Sequence, residues 1–190
     1  MNLVPGASPI FTVDRGYQGD GSAAYLSIAD AATAATLLTD SSASLGVWLN
    51  ICPVEDRVVI GQNSGGGTRL SPKSAVDTIN GRMQHVAAGP AISTVAGYSG
   101  LGMTRMTRQS VSQYYLRPHG QARILRTMGS NGNAQRPQRL LSGYATVPGS
   151  ALNYSAARIA VAYFGGALTD AQEVAMDAAL QTYLNAVGGA

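Results

Sequence analysis

The sequence predicts an all-β fold, an antiparallel sandwich closed by a single C-terminal amphipathic helix. Three observations predict it. Leu45, Val47, Leu49 and Ile51 alternate with Gly46, Trp48 and Asn50, the period of two of a strand with two different faces. Short apolar segments recur along the chain at a spacing of roughly eight to twelve residues, separated by Gly, Pro and Asn turn signals, as in sandwiches. Only the run from Arg158 to Ala190 carries helical periodicity of any length. There, Arg158 to Phe164 alternates as a strand, with Ile159, Val161 and Tyr163 on one face and Arg158, Ala160 and Ala162 on the other. Gly165 and Gly166 break it. Thr169 with Gln172 three residues on forms a capping box. Met176, Leu180, Tyr183, Leu184 and Val187 then recur as one apolar face, with Asp177, Gln181 and Asn185 opposite, and Gly188-Gly189 ends the helix.

In chain order, residues 1–9 read as an irregular lead-in and Ile10 to Val13 as a short strand, followed by the turn-rich run from Asp14 to Gly21. Tyr25, Leu26 and Ile28 begin a second strand. Ile28 to Asp40 fits either a helical turn, through its alanines, or a surface loop, through its threonines. Pro53 ends the Trp48 strand, and Asp56 to Gln62, centred on Val58, Val59 and Ile60, is expected to be its hairpin partner. Extended segments follow at Arg69–Leu70, Thr78–Val86 and Ala91–Val95. Met103–Arg108 and Val111–Leu116 read as a hairpin, Pro118-His119-Gly120 as a reversal, Gln121–Thr127 and Arg139–Tyr144 as strands. Residues 169–187 are the closing helix, and no linker or repeat divides the 190 residues, so a single domain over 1–190 is expected.

Charged residues make up 12% of the chain and the net charge is +3, too mild to call for nucleic acid. Lys73 is the sole lysine among thirteen basic residues. Arginine favours ordered bidentate or stacked contacts, so the bias points to interfaces. Cys52 is the only cysteine, which excludes an intrachain disulfide and any zinc site with two thiolates; it reads as a small buried hydrophobe. No basic segment followed by an apolar core marks a secretory signal. No apolar run reaches spanning length, so a soluble protein with no membrane partner is expected.

The ten acidic residues are scattered. Glycoside hydrolysis needs two carboxylates flanking the scissile bond. Glu55 and Asp56 are adjacent and would face opposite ways on a strand, so they read as a charged turn. Asp14 and Asp20 flank a turn and suit Asx hydrogen bonding better than calcium. His85 and His119 have no nucleophile or acid at motif spacing. Gly97-Tyr98-Ser99-Gly100 lacks the last glycine of a nucleophile elbow, and Ser64-Gly65-Gly66-Gly67 has no following lysine. The expectation is therefore no catalytic site, no metal and no cofactor. Trp48 is expected in a second buried layer under the closing helix rather than as a sugar platform. Seven arginines lie between Arg105 and Arg139, a segment without a single acid. Arg105, Arg108, Tyr114, Arg117, Arg123, Arg126, Arg136 and Arg139 are the candidate contact residues for a ligand or protein partner.

Phe11-Thr12-Val13-Asp14-Arg15-Gly16-Tyr17-Gln18-Gly19-Asp20-Gly21, then Tyr25-Leu26 and Ala43-Ser44-Leu45-Gly46-Val47-Trp48, form one group of motifs. Arg158-Ile159-Ala160-Val161-Ala162-Tyr163 running into Gly166-Ala167-Leu168-Thr169 and the helix with Tyr183-Leu184 forms another. Together they resemble the concanavalin A-like (laminin-G-like) jelly-roll domains of tailed-bacteriophage structural proteins. The middle, from Gly100-Leu101 through Tyr114-Tyr115-Leu116-Arg117 to Gly120, resembles that family's hairpin. The resemblance implies a jelly-roll β-sandwich on a virion, as capsid decoration, head fibre or tail component. Its expected partners are other virion proteins, copies of itself as a homo-oligomer, and a host-surface glycan for relatives that act as tail-fibre receptor modules. The acidic cluster of the glucanase branch has no match here, so hydrolysis is not carried over.

Overall fold

The alternation around Trp48 is a strand, and the molecule is laid out on its two faces. A computed structural model describes residues 4–5, 9–61, 67–83, 92–127, 129, 137–142 and 154–188. In chain order the elements are β1 (Val4–Pro5), β2 (Ile10–Thr12), β3 (Gly16–Gln18), β4 (Leu26–Ala29), α1 (Ala31–Leu37), β5 (Ala43–Ile51), β6 (Ile60–Gly61) and β7 (Arg69–Ala75). β8 (Thr78–Arg82), β9 (Ile92–Thr94), β10 (Gly102–Ser110), β11 (Gln113–Arg117), β12 (Ile124–Thr127), β13 (Gln138–Leu140), β14 (Arg158–Gly165) and α2 (Asp170–Ala186) follow.

The strands form two sheets, one in the order β12-β11-β10-β5-β14-β3-β2 and the other β1-β4-β13-β6-β7-β8-β9. Every pairing among the described residues is antiparallel. The fold is thus an antiparallel β-sandwich with one substantial helix at its C-terminal end. Leu45, Val47 and Leu49 of β5 enter the interior, where they meet Leu26, Ile28, Ile60, Leu70, Ile79 and Leu140 from the facing sheet. Full burial of each such side chain contributes roughly 1.5–3 kcal/mol. The opposite face of β5 carries Trp48, which forms a second, smaller layer with Met103 and Leu184, flanked by Ala160, Val161, Tyr163 and Leu180. Trp48 therefore lies under the helix, as its strand parity implies. Gly46 shares that face because a Cβ there would stand 2.6 Å from the Tyr163 ring and 2.9 Å from the Arg105 Cβ.

Three details depart from the sequence reading, and one ambiguity is resolved. Residues 56–61 do not form a hairpin with β5, whose neighbours are β10 and β14. After Pro53 the chain crosses to the other sheet, where β6 pairs with β7 and β13 and Val58, Val59 and Ile60 are buried. The ambiguous stretch after Ile28 resolves into the end of β4 and the seven-residue α1, capped by Asp30, whose carboxylate accepts from the Thr33 N–H at 2.7 Å. In β14 the alternation slips: a register shift between Ile159 and Val161 puts Ile159, Ala162 and Phe164 against the interior and Val161 and Tyr163 against the helix. That is the action of a β-bulge, which adds a residue and exchanges the faces beyond it. Finally, α2 is turned relative to its expected apolar face. Tyr183 is 59% exposed, whereas Glu173 is buried and Asp177 is only half-exposed. The predicted Thr169–Gln172 capping box is present in both directions.

Candidate functional site

The candidate residues sit on strands whose parity decides where each one points. On β10, Met103, Arg105 and Thr107 face α2, while Thr104, Met106 and Arg108 face the sandwich interior. β11 pairs with β10 so that Arg117 stands opposite Arg105, Tyr115 opposite Thr107, and Tyr114 opposite Arg108. Arg105 and Arg108 thus belong to opposite sides of one sheet. They do not form one surface.

The outer side holds Arg105, Arg117 and Arg123. Two arginines directly opposite each other on a sheet repel, and the charge is answered from α2. Arg105, fully buried, pairs with Asp177 and donates to the Glu173 backbone carbonyl at 3.0 Å. Arg117 pairs with Asp170, and its Nε lies 3.0 Å from Glu173 Oε2. Arg123 Nε approaches the same Glu173 oxygen at 2.8 Å and Asp170 at 3.3 Å. Thr107 Oγ1 donates to the other Glu173 oxygen. The Glu173 carboxylate, 1% exposed, is therefore held by two guanidiniums and a hydroxyl, enough partners to offset its burial. Burial pulls the Arg105 pKa below the usual arginine value. For Arg123 burial acts in the same direction, but the hydrogen bond and charge of Glu173 and the charge of Asp170 outweigh it and raise the pKa. The Arg123 guanidinium also lies 5.0 Å from the Tyr115 ring centroid.

Along α2 the seated residues Asp170, Glu173, Asp177, Leu180 and Leu184 follow a three-four spacing. The N-terminal half of that stripe is acidic and meets arginines. The C-terminal half is apolar and meets Trp48 and Met103. Its acids lie in phase with Leu180 and Leu184, so their inward direction is readable from spacing, although the sequence reading placed Asp177 outside.

The remaining candidates point elsewhere. Arg108 reaches into the sandwich, donating to the Met83, Ser110 and Val111 carbonyls, with its guanidinium 5.4 Å from the Tyr114 ring centroid. Tyr114 is fully buried and donates to the Gly81 carbonyl at 2.6 Å; burial pushes its pKa up to about 12. Neither Arg108 nor Tyr114 offers a surface to a partner, which corrects their assignment as contact residues. Arg126 donates to Ser93 Oγ on β9. Arg139 stacks on Tyr25, 4.1 Å from the ring centroid. Arg136 lies outside the described residues, as does His85. The carboxylates that the arginine segment lacks are thus supplied, for Arg105, Arg117 and Arg123, by the protein's own helix.

Other reactive side chains are occupied by local work. Glu55 accepts from the Ser155 hydroxyl and the Ala156 N–H, and Asp56 from Arg69 and Asn80. Asp20 accepts the N–H groups of Ser22, Ala23 and Ala24, which hold its carboxyl well below the usual carboxylate range, as the Asx reading requires. Burial raises the Cys52 thiol to about 12, which disfavours its reactive thiolate form. Among the described residues no three His, Cys, Asp or Glu side chains come together as metal ligands. No described helix is long and apolar enough to cross a membrane.

One surface feature escaped the sequence reading. Among the described strands β2 lies at the edge of its sheet, and the apolar residues on and just after it are open: Ile10 is 66% exposed, Phe11 57% and Val13 72%. Phe11 packs on Tyr17 at 4.9 Å between ring centroids. It also lines a groove of about 230 Å³ with Asp14, Arg15, Ala160, Tyr183, Leu184 and Val187. The exposed Tyr183 therefore continues the apolar edge onto α2. A second, more apolar cleft of about 530 Å³ opens among Tyr17, Leu26, Ile28, Leu140, Ile159 and Phe164.

No protein-family model matches the sequence, and no curated protein matches it. Four chains of solved structures are similar to it. One is the crystal structure of a mutant of HCR/D, with a TM-score of 0.59 and 11% identity, covering 94% of this chain. This chain spans 46% of that one. At such identity the likeness concerns the fold, a β-rich sandwich, and nothing further.

Proposed function

We propose that this chain is a structural assembly protein of the virion of a tailed bacteriophage, with no catalytic role, which works by docking to neighbouring proteins or to copies of itself. The motifs from Phe11 to Gly21 and from Arg158 to Leu184 support the concanavalin A-like part of this reading. The observation that carries the assembly part is the apolar edge of Ile10, Phe11 and Val13, continued by Tyr183. Edge strands expose unpaired N–H and C=O groups, and soluble proteins ordinarily blunt them with charge, proline or a bulge. Here the edge carries two β-branched residues and a phenylalanine. Large apolar side chains left exposed on both faces of a sheet edge mark a contact surface.

The carbohydrate-binding alternative loses its best platform, because Trp48 is 3% exposed beneath the helix. The arginine segment also changes its part. Arg123 belongs to the helix seat, so charge reversal there tests folding rather than docking. The docking test belongs on β2. Phe11→Glu and Val13→Glu should leave the thermal transition of the sandwich close to that of the parent. They should abolish self-association in sedimentation, or incorporation into particles where the partner is another virion protein. Unchanged association and incorporation by both variants would remove this edge from consideration.

A further inference from the structure

The acidic half of α2 and the arginine cluster under it are a matched pair of surfaces on two separately organised parts of the molecule. The interior of the sandwich draws its buried residues from the two sheets and α1 and includes none from α2. The helix contributes Leu184, and beside it Leu180, to the outer layer alone. Lifting α2 away therefore opens Trp48 and Met103 but leaves the interior closed. It also strips Arg105, Arg117 and Arg123 of the carboxylates they pair with, since Asp170, Glu173 and Asp177 all belong to the helix. An empty seat is a cluster of three facing guanidiniums beside an apolar floor, complementary in charge and pattern to one kind of object, an amphipathic helix acidic at its N-terminal end.

The connection to α2 can be redirected without disturbing either surface. β14 ends at Gly165, where a Cβ would meet nothing within 4 Å, and Gly166 follows. Gly165 is still paired with Ser44 at the end of the β14–β5 ladder, so the glycine free to change direction is Gly166. Past the ladder, the described side-chain bonds are two serine contacts, Ser44 Oγ to the Gly166 carbonyl and the Ala167 N–H to Ser42 Oγ. Beyond it, the Leu168 carbonyl accepts from Gln109 and Arg123 and is already part of the seat. The movable unit thus begins at Ala167 or Leu168.

We propose that the seat of α2 is also the site at which a second copy of this chain engages: in the assembled protein α2 of one copy lies on the sheet of the other, and the exchange is reciprocal. Every ion pair and apolar contact of the seat is then made between copies instead of within one, and the two-fold arrangement closes on itself. The exposed apolar edge lies beside the exchanged element, since Phe11 shares a groove with Tyr183, Leu184 and Val187. This inference rests on the assembly reading and deepens it by naming the partner and the element exchanged.

The test uses two full-length variants with opposite charge reversals. One carries Arg117→Glu and Arg123→Glu on the sheet, the other Asp170→Arg and Glu173→Arg on the helix. Alone, each has like charges across its seat. Trp48, the sole tryptophan, should then emit at longer wavelength and be quenched several-fold more by acrylamide. Mixed in equal amounts, the two should form a species of twice the chain mass with the parent's emission, because only exchange matches both seats. A mixture that behaves as the sum of its parts overturns the proposal. Where either variant fails to fold, the unaltered protein decides. Isotopically labelled and unlabelled copies are refolded together, and isotope-filtered spectra should show contacts between Leu184 methyls of one copy and the Trp48 ring of the other. Contacts confined to single chains overturn the exchange. They leave the assembly reading standing, since that depends separately on the Phe11→Glu and Val13→Glu variants.

Discussion

The interior of the sandwich and the seat of α2 are both buried, yet they are held by different physics. Between the sheets, Leu45, Leu49, Ile60, Leu70 and Ile79 lose their contact with water almost completely. Arg108, the largest polar side chain among them, donates to backbone carbonyls. Beneath the helix, Trp48, Met103 and Leu184 form the buried apolar layer among the described residues, and beside it three acids of the helix meet three arginines. Apolar burial is non-directional, so a purely leucine stripe would seat a helix at several rotations with little penalty. Three acids against three arginines define one rotation and one polarity. In our reading the sheets are joined by burial because their hydrogen-bonded registers already orient them. The helix has no ladder to orient it, and charge supplies the orientation instead.

The sharpest way to break this comparison is to remove Glu173. Glu173→Ala leaves Arg117 and Arg123 only the solvent-exposed Asp170 and strips them of their buried carboxylate, a loss of up to about 3–5 kcal/mol for a buried ion pair stripped of one partner. That cost falls on helix seating. Trp48 fluorescence should shift to longer wavelength and α2 amides should exchange rapidly, while the sandwich keeps its cooperative transition. Leu70→Ala, deep between the sheets, should cost about 2–5 kcal/mol through lost burial and a cavity. It should lower the global transition without altering Trp48 emission below it. If the two variants moved both signals together, helix and sandwich would be one cooperative unit and the distinction would fail.

What was legible in the sequence follows the same division. Local periodicity revealed β5, the β10–β11 hairpin and the capped helix, because alternation and capping are properties of neighbouring residues. It also placed Trp48 under the helix. It did not reveal that Val58 to Ile60 crosses to the second sheet, since strand pairing between distant segments leaves no local trace. The slip at Ile159–Val161 is likewise invisible, because a bulge depends on the partner strand. The absence of acids marks the arginine segment as unusual, but spacing taken without strand parity makes its residues a single surface. Strand parity separates Arg105 from Arg108, an odd from an even position on β10, and the Asp170–Glu173–Asp177 spacing points to the helix as the source of carboxylates. Both signals were present in the sequence. The exposed β2 edge was not, because Ile10, Phe11 and Val13 read like any strand until the sheet order shows no described strand beyond β2.

A smaller effect is expected from acidification, and it too falls on the seat. His119 lies edge-on to Trp48, with ring centroids 4.9 Å apart. Arg117 and Asp177 share its groove. Burial, and then the charge of Arg105, hold its pKa below the usual 6.5. Its Nδ1 is enclosed without a hydrogen-bond partner among the described residues, so the imidazolium would have no acceptor there. Because the folded pKa is depressed, the unfolded chain binds the proton first as pH falls. Stability is full above 6.5 and declines as pH falls from 6.5 through the folded value. Trp48 emission should report this decline before the sandwich melts, and His119→Gln should flatten it. A pH response identical in His119→Gln would assign the effect to another group.

The smallest expected effect separates the buried from the exposed half of the same latch. Asp170 pairs with Arg117 and Arg123 just as Glu173 does, yet its side chain is 65% exposed where that of Glu173 is 1% exposed. An exposed partner keeps most of its hydration in either state, and salt screens its attraction. Asp170→Asn should therefore cost only about 0–1 kcal/mol, the range of surface ion pairs. Asn at this position also keeps a polar side chain in the first turn of α2, though it gives up the negative charge that favours a helix N-terminus. In a salt titration the difference between Asp170→Asn and the parent should shrink toward zero, whereas the deficit of Glu173→Ala should persist because its partners are shielded from ions. The measurement is Trp48 emission against denaturant at low and high salt. A deficit of equal size for the two variants, equally sensitive to salt, would mean that the carboxylates act through their net charge and that the burial of Glu173 has no part in seating the helix.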